Sequence, residues 1–465
     1  MTVVSPTSAH TTAHSAARAD RQELPPRLLA ARAAYVLHGN DTGSLVTAAP
    51  RLYPHMWSWD AAFISVGLAH LDIGRAVAEL DTLLAAQWRG GMLPHIVFTE
   101  GGADDYFPGP QRWGAHELSP DAPQGVRTSG ICQPPAHAIA VGRLLEIARR
   151  GGALDRATAE DFVRRSWPKL HAWHRWLAEH RDPGGDGLLA VVHGWESGMD
   201  NSPRWDSAYA GVHPGADLPP YVRRDLRLVA DAGMRPSDEE YDRYLWLVEE
   251  MRRVGYDPDR VVATSSFLVG DVFLTAIFAM ACDVLAELGQ EFGQPAARIA
   301  ELEGWAARAR SAVAATVDPA TGLARDRDFR AGTWSGTRTM AGFAPLLCGG
   351  LDRTAERALL STLDGPEWCG NPGMAAGLVP STSPADEAFR PRQYWRGPQW
   401  PVMGWLFGWS FARRGWAERA ERHRAEGLRL CSDGAFAEYY HPLTGEPLGS
   451  LDQSWTAAVV LDWLC

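Results

Sequence analysis

The strongest constraint on the fold is a long apolar stretch between residues 264 and 288. Its apolar residues recur at three- and four-residue spacing and are so numerous that they cover most of a helix surface. They are Phe267, Leu268, Val272, Phe273, Ile277, Met280, Val284 and Leu285. The stretch therefore predicts a helix that is largely buried in the core of a globular protein.

The same helical periodicity dominates the rest of the chain. Strand patterns are rare, and Leu188–Val192 is the one short candidate. Ser237 and Glu240 have the spacing of a capping box that opens a helix at about 238–253, and Ser450 with Gln453 repeats the pattern before the last helix. About a dozen helices are predicted, which indicates an all-α protein; the other segments are 26–38, 59–69, 72–88, 134–150, 155–180, 299–313, 353–363, 398–413, 416–431 and 452–464.

The gaps between these helices are informative. Residues 90–130, 182–236 and 364–397 form long segments rich in Gly, Pro and aromatic residues, and long loops of this kind usually carry function. No Pro/Gly/Ser linker divides the chain, so residues 23–465 are predicted to form a single domain, a helical toroid with its long loops on one face. Residues 1–22 are rich in Ser, Thr, Ala and His and are expected to form a flexible tail.

Composition excludes several classes of function. The net charge of −11 is spread along the chain without a basic face, which argues against a nucleic-acid partner. The first 22 residues lack an apolar h-region, so neither a signal peptide nor a membrane partner is expected. The sequence leaves the oligomeric state open, a homo-oligomer included.

Metal, redox and nucleotide chemistry are not indicated either. The six cysteines include no CxxC pair and are interpreted as reduced thiols of a cytoplasmic protein. His171 and His174 share a helix face, but the motif is HAWH and not HExxH, so no metal site is predicted. No P-loop, GxGxxG or GxSxG pattern occurs in a supporting context, and we expect no cofactor.

Tryptophan and carboxylate residues gather in the predicted loops. The chain has 20 tryptophans, and the flat faces of such rings stack against sugar C–H groups. Hydrolysis of a glycosidic bond needs one protonated and one ionised carboxyl group. The loop Gly194–Asp206 alone holds Glu196, Asp200 and Asp206, and Asp60 is a further candidate acid. Glu438, between aromatic residues near the last helix, is a candidate base, although without further information a solvated surface residue is the simpler interpretation.

Seven motifs together resemble one family, the bacterial glucosylglycerate and mannosylglycerate hydrolases, which are relatives of processing α-glucosidases and trehalases. The resemblance runs from about residue 27 to the end of the chain. The motifs are HMWSWDAAF (His55–Phe63), GMLPHIVF (Gly91–Phe98), YFPGP (Tyr106–Pro110), ESGMDNSPRWD (Glu196–Asp206), RPSDEEYDRYLW (Arg235–Trp246), YWRGPQWPV (Tyr394–Val402) and FAEYYHPLTGEPLG (Phe436–Gly449).

This resemblance implies an (α/α)6 barrel and an inverting glycoside hydrolase, with Asp200 as general acid and Glu438 as general base. We expect burial to raise the pKa of Asp200. Glu438, in contrast, is expected to remain ionised. Asp60, Trp57 and Trp59 would hold the sugar, and Arg235 would bind the glycerate carboxylate. The resemblance extends the small-molecule substrate site to Tyr53, Tyr106, Gln133, Gly198, Tyr241, Tyr394, Trp395, Gly397, Trp400 and Gln453.

Three alternatives remain open at this stage. A trehalase- or oligosaccharide-type α-glucosidase would act on neutral glucosides, for which Arg235 would matter little. A sugar epimerase on the same toroid would rely on histidine pairs. A non-catalytic sugar-binding protein would need neither Asp200 nor Glu438. The motifs do not distinguish glucose from mannose.

Overall fold

The computed structural model describes residues 23–49, 52–99, 106–227 and 231–465. The predicted tail at residues 1–22 lies outside the described residues. The described part of the chain is predominantly helical, as the sequence predicts. Its α-helices are α1 (Pro26–Gly39), α2 (Ser58–Ala69), α3 (Ile73–Ala85), α4 (Pro110–Trp113), α5 (Ala115–Leu118), α6 (His137–Arg150), α7 (Ala153–His180), α8 (Asp206–Ala210), α9 (Asp238–Arg253), α10 (Pro258–Thr264), α11 (Val272–Glu291), α12 (Ala296–Ala315), α13 (Ala344–Cys348), α14 (Arg353–Leu363), α15 (Pro401–Arg413), α16 (Ala417–Leu430) and α17 (Ser454–Leu464).

Six of these helices contact one another in a closed cycle, in the order α2, α6, α11, α13, α15, α17 and back to α2. Nearly every residue of α2, α11, α13 and α17 is buried. Each member of the cycle also contacts one further helix: α3, α7, α12, α14, α16 and α1 in the same order. These partners are buried along one side only, as amphipathic helices at a surface are.

The core helix α11 begins later than its apolar pattern predicts. Residues 265–271 are not helical, because Val269–Gly270 is extended and pairs with strands on both sides. The helix starts after Asp271, whose side chain accepts hydrogen bonds from the backbone N–H groups of Phe273 and Leu274 at 2.9 and 3.1 Å. By length and composition α11 could span a membrane, but 89% of its most apolar window is buried inside the protein, as in a core helix.

The two predicted capping boxes have different outcomes. Ser237 and Glu240 form the expected reciprocal pair at the start of α9, which confirms that prediction. The prediction for Ser450 is wrong. The last helix starts after Gln453, and the Ser450 hydroxyl donates to the Gln453 side chain at 2.6 Å and caps no backbone N–H.

Within the described ranges, three small antiparallel sheets lie in the segments between the helices. Met56 pairs with Val97 and Val97 with Thr128 in the first sheet, and Ala190 pairs with Gly270 in the second. The strands are β1 (Met56–Trp57), β2 (Ile96–Phe98), β3 (Arg127–Thr128), β4 (Ala190–Val191), β5 (Val269–Gly270), β6 (Arg327–Asp328), β7 (Thr333–Trp334), β8 (Tyr439–Tyr440) and β9 (Pro447–Leu448). The strand predicted within Leu188–Val192 is thus confirmed as β4.

The close contact of α2 and α17 generates a stability prediction. A Cβ atom at Gly67 would lie 2.4 Å from the Cα atom of Ala458. Because a helix backbone cannot move away locally, we expect Gly67→Ala to lower the free energy of unfolding by about 1–3 kcal/mol.

Gly304 in α12 is the matched control, since a Cβ atom there would meet nothing within 4 Å. Gly304→Ala should raise stability by about 0.4–1 kcal/mol through helix propensity and backbone entropy. Denaturant unfolding of both variants measures the difference. Equal effects of the two substitutions would contradict the proposed helix contact.

Candidate active site

The loop that holds Asp200 follows β4 directly. The imidazole of His193 accepts a hydrogen bond from the Trp195 backbone N–H at 3.0 Å and so caps a single 3-10 turn, Gly194–Ser197. Gly198 follows with a φ of +70°, and a Cβ atom there would lie 2.4 Å from the Trp59 ring. Only glycine fits both the left-handed backbone and the close ring.

Glu196 faces the protein interior and not the open cavity. Its carboxylate pairs with Arg181 at 2.8 Å, with both side chains at most 3% exposed. It also accepts from the backbone N–H of Val192 at 2.9 Å and lies 3.3 Å from the Cys132 sulfur. Glu196 therefore anchors the start of the loop, as a buried carboxylate needs both a charge partner and hydrogen bonds.

Arg204 anchors the other end of the loop. Its guanidinium binds Asp271 at 2.8 Å and Asp326 at 3.1 Å, and it lies 3.9 Å above the Trp205 ring. Burial raises the pKa of Asp326 to about 6, against the opposing charge of Arg204. Asp206, the third acid of the loop, instead pairs with Arg396 near the surface at 2.6 Å. These pairings leave Asp200 as the acid of this loop that faces the cavity.

Glu438 lies immediately before β8 and is oriented by several donors. Its Oε1 accepts from the hydroxyls of Tyr53 at 2.8 Å and Tyr394 at 3.3 Å, and its Oε2 accepts from the Ser450 backbone N–H at 3.2 Å. Gly449, with a φ of +73°, makes room for this carboxylate, since a Cβ atom there would lie 2.5 Å from Oε2. Glu438 is 2% exposed, so it is not a solvated surface residue.

These elements enclose a cavity with about 920 Å³ of free volume, part of it open to solvent. Among the described residues its lining consists of Leu52, Tyr53, Trp57, Trp59, Asp60, His95, Tyr106, Phe107, Gln133, Trp195, Gly198, Asp200, Arg224, Asp225, Arg235, Pro236, Tyr241, Tyr244, Tyr394, Glu438, Gln453 and Trp455. The lining brings together the two candidate catalytic carboxyls and eleven of the predicted substrate-binding residues, which lie on loops distant in the sequence.

The carboxyl groups in this cavity have unlike environments. Burial raises the pKa of Asp200 to about 7; the Glu438 charge adds to the rise, while the Arg235 charge opposes it. Burial also raises the pKa of Glu438, but the Arg235 charge and the Tyr53, Ser450 and Tyr394 hydrogen bonds all favour its ionised form. The pKa of Asp60 is well above its usual value, because of burial and the nearby Glu438 and Asp200 charges.

Arg235 joins the base to the opposite side of the cavity. One of its terminal N–H groups donates to the Tyr53 hydroxyl at 3.3 Å, and its Nε–H donates to Asp225 at 3.2 Å. The guanidinium also lies 5.0 Å from the centre of the Tyr394 ring. Because Tyr53 in turn donates to Glu438, the cation and the candidate base belong to one hydrogen-bonded network.

Trp395, Gly397 and Trp400 do not line the cavity, contrary to the prediction. The two indoles stack on each other at 3.7 Å and 4°, and each is 1% exposed. Trp395 packs behind Trp59, with 6.3 Å between ring centres. A Cβ atom at Gly397 would meet the Arg390 carbonyl oxygen at 2.7 Å, so this glycine is explained by close backbone packing.

Four polar lining residues were not predicted from the sequence: His95, Arg224, Asp225 and Tyr244. Arg224 and Asp225 belong to the charged triplet Arg223–Asp225 inside the long 182–236 segment, which was the available signal. His95 ends the GMLPH part of a motif and stacks on Trp195. Burial, assisted by His193, lowers the pKa of His95 to about 3, so its ring is neutral at physiological pH.

The histidines of the HAWH motif lie away from this cavity. His171 pairs with Glu301 at 2.9 Å, and His174 lies 3.7 Å from the Cys282 sulfur. Within the described ranges no cluster of three His, Cys, Asp or Glu side chains could hold a metal ion.

Comparison with known proteins places this fold and cavity in a family. The family described as "Mannosylglycerate hydrolase MGH1-like glycoside hydrolase domain" matches residues 53–456. Since that match covers most of the chain, the protein belongs to this family and is a glycoside hydrolase.

Similar relatives share nearly the whole chain. Glucosylglycerate hydrolase of Mycolicibacterium hassiacum is 61% identical over 439 residues, which cover 94% of this chain and 98% of the relative. Mannosylglycerate hydrolase of Thermus thermophilus is 41% identical over 436 residues, 93% of this chain and 99% of the relative. The crystal structure of a GH63 mannosylglycerate hydrolase from Thermus thermophilus in complex with Tris and D-glycerate has a TM-score of 0.84 and 39% identity, and covers 94% of this chain and 99% of that chain.

Proposed function

We propose that this protein is an inverting α-glycoside hydrolase that cleaves glucosylglycerate, and mannosylglycerate as a second substrate, to the sugar and glycerate. The observation that carries the proposal is the pair of unlike carboxyl groups at one cavity. Asp200 has a pKa of about 7, whereas Glu438 is held by a cation and three hydrogen bonds that favour its charge. Environments that separate two carboxyl groups in this way assign acid and base roles.

The reaction proceeds by one displacement at the anomeric carbon. Asp200 gives its proton to the glycosidic oxygen as the bond to the sugar breaks. Glu438 takes a proton from a water molecule whose oxygen bonds to the anomeric carbon from the opposite face. The sugar leaves with inverted configuration, and solvent exchange restores both protonation states. Room for that water requires a carboxyl separation of roughly 6.5–9.5 Å.

The lining residues divide naturally between the two halves of the substrate. Trp57, Trp59 and Asp60 hold the sugar, with the close Gly198 backbone and Tyr394 beside them. Arg235 binds the glycerate carboxylate, with the hydroxyls of Tyr53, Tyr106 and Tyr241 around it. The Gln133 side-chain oxygen accepts a hydrogen bond from the Trp59 backbone N–H, and the Gln453 side-chain oxygen accepts one from the Ser450 hydroxyl. The NH₂ groups of both glutamines are therefore left to donate to the substrate.

The names of the relatives favour this substrate class over neutral disaccharides. The 61% identical relative is named for glucosylglycerate, and the 41% identical one for mannosylglycerate. His95 is the single histidine among the described lining residues, and its low pKa makes it a weak base, so epimerisation by a histidine pair fits this cavity poorly.

The closed cycle of six buried helices, each with one outer partner, supports an (α/α)6 barrel as the architecture of this domain.

All six cysteines are free thiols, which supports a reducing, cytoplasmic location.

The stereochemical outcome tests the function directly. Proton NMR of the enzyme with α-linked glucosylglycerate should show β-glucose as the first anomer released, before mutarotation mixes the two. A parallel reaction with mannosylglycerate compares the sugars. First-formed α-glucose would exclude the single displacement, and absence of cleavage of both compounds would exclude the proposed substrates.

The two carboxyl groups should be individually essential. Asp200→Asn and Glu438→Gln are expected to lower kcat by several orders of magnitude, because each variant lacks one of the two proton transfers. Exposed acids of the same chemistry, Asp217 and Glu239, provide Asp217→Asn and Glu239→Gln as controls with near-normal kcat. Unfolding curves should show all four variants folded. Near-normal turnover by either cavity variant would reject its assigned role.

The pKa of Asp200 sets the alkaline limb of the activity profile. Asp200 acts in its protonated form, so kcat/KM should fall as pH rises through about 7, by up to tenfold per pH unit. Glu438 acts ionised, so the acid limb should lie above pH 4.5, in the direction of its raised pKa. Initial rates from pH 4 to 9 give both limbs. A profile that stays flat from pH 6 to 9 would contradict the role of Asp200.

A further inference from the structure

We infer that Arg224, at the rim of the cavity, is a specificity-determining residue that selects substrates with a negatively charged aglycone. This inference rests on the proposed function and deepens it. It assigns the preference for an acid to a second cation besides Arg235. Three neighbouring arginines, Arg223, Arg224 and Arg235, differ in whether their charge is already paired.

The Arg235 guanidinium already has hydrogen-bond partners within the protein. Its Nε–H binds the Asp225 carboxylate at 3.2 Å, and another N–H binds the Tyr53 hydroxyl that holds Glu438. Its charge is thus shared between Asp225 and the base before any substrate arrives. An anionic aglycone that binds Arg235 has to compete with both.

The Arg223 guanidinium also has partners within the protein, and these contacts hold the local backbone in place. It binds Asp225 at 2.8 Å, Asp238 at 3.0 Å and the Pro236 carbonyl oxygen at 2.7 Å. Its guanidinium lies 4.6 Å from the centre of the Tyr241 ring. These contacts attach the segment before Asp225 to the start of α9.

Arg224 differs from both neighbours. It lines the cavity and is exposed, and its guanidinium makes no ion pair or hydrogen bond with any residue in the described ranges. Its side chain therefore presents a full positive charge, with free N–H donors, to a molecule at the cavity mouth. Guanidinium groups bind carboxylates through such donors.

Aromatic stacking fixes the rim on which Arg224 lies. Tyr221 stacks on Phe107 with 5.6 Å between ring centres and an interplanar angle of 3°. The Tyr241 hydroxyl donates to the Phe107 carbonyl oxygen at 3.0 Å, and the Tyr221 hydroxyl donates to Asp242 at 2.6 Å. The backbone next to Arg224 is thereby attached to α9 and to the loop that carries Tyr106.

The charge balance of the cavity explains why a second cation matters. Among the described lining residues there are four carboxyl groups, Asp60, Asp200, Asp225 and Glu438, and two guanidinium groups, Arg224 and Arg235. With Asp200 protonated for its role and the pKa of Asp60 well above its usual value, Asp225 and Glu438 carry the negative charges, and Arg235 alone would leave an excess of one negative charge that repels an anion. A cation at the mouth offsets this repulsion for an incoming carboxylate over about one Debye length, roughly 8 Å at physiological salt.

The test compares an anionic substrate with its neutral analogue. Glucosylglycerate carries a carboxylate where glucosylglycerol carries a neutral hydroxymethyl group. Arg224→Gln should raise KM for glucosylglycerate about 3–10-fold and change kcat less than about twofold, because the charge acts on binding and not on proton transfer. KM for glucosylglycerol should be unchanged. Arg227→Gln is the matched control, since Arg227 is exposed on the same segment and lies outside the cavity lining.

The dependence of kcat/KM on ionic strength distinguishes an electrostatic role of Arg224 from a structural one, because a structural role would leave this dependence unchanged. For the normal enzyme and Arg227→Gln, kcat/KM for glucosylglycerate should fall as ionic strength rises, and for Arg224→Gln the dependence should be shallower. Equal losses on both substrates would show a general disturbance of the rim and overturn the inference. Parameters that match those of Arg227→Gln would also overturn it.

Calorimetric binding of D-glycerate separates the inference from the proposed function. The normal enzyme should bind D-glycerate more tightly than glycerol, and Arg224→Gln should lose about 3–10-fold of that affinity. If neither glycoside is cleaved but this Arg224-dependent binding is found, the proposed function fails and the anion selectivity stands. If both glycosides are cleaved but D-glycerate binding is insensitive to Arg224, the inference alone fails.

Discussion

The geometry of the cavity depends on two buried arginines that hold the ends of one loop. Arg181, at the end of α7, pairs with Glu196 before the catalytic turn, and Arg204 pairs with Asp271 and Asp326 after it. Removal of one partner from a buried ion pair typically costs about 3–5 kcal/mol, because the other charge remains without compensation. Asp200 lies between these anchors, so its position is set by the helices α7 and α11 more than by the loop itself.

This anchoring lets the same cavity treat its carboxyl groups differently. Asp200 is partly buried, and the effect of burial on its pKa outweighs the opposing Arg235 charge. Glu438 is enclosed as well, but Tyr53, Tyr394 and the Ser450 N–H converge on it, with Arg235 behind Tyr53. Both proton-transfer groups can therefore line one cavity, because the hydrogen bonds to Glu438 favour its charge while burial disfavours that of Asp200.

Structural features that depend on residues close in the sequence were predictable, whereas those that depend on contacts between distant residues were not. The Ser237–Glu240 capping box predicted the start of α9 correctly, because both partners lie within one turn. The start of α11 was predicted too early, because Phe267, Leu268 and Val269 are as apolar as a buried helix, but Val269–Gly270 pairs as a strand with β4 and β6. Ser450 has the spacing of a cap, yet its hydroxyl is taken by the Gln453 side chain.

The candidate site shows the same division. Motifs identified most of the cavity lining, since each lies on a short contiguous stretch. The stacking of Trp395 on Trp400 could not be read from their spacing, and neither ring belongs to the cavity lining. Arg224 was missed because three adjacent charged residues look alike in sequence; which of them finds a partner depends on where Asp225, Pro236 and Asp238 lie in space.

Gly198 and Gly449 allow a neighbouring group to approach the backbone closely beside each half of the catalytic pair. One touches the Trp59 ring next to the Asp200 turn, and the other touches the Glu438 carboxylate, both with a left-handed backbone. Both members of the catalytic pair thus lie beside backbone positions where a side chain would collide with its neighbour. A redesign of this enzyme for other glycosides can vary the aromatic rings and cations that contact the aglycone, but it has to keep Asp200, Glu438 and these two glycines.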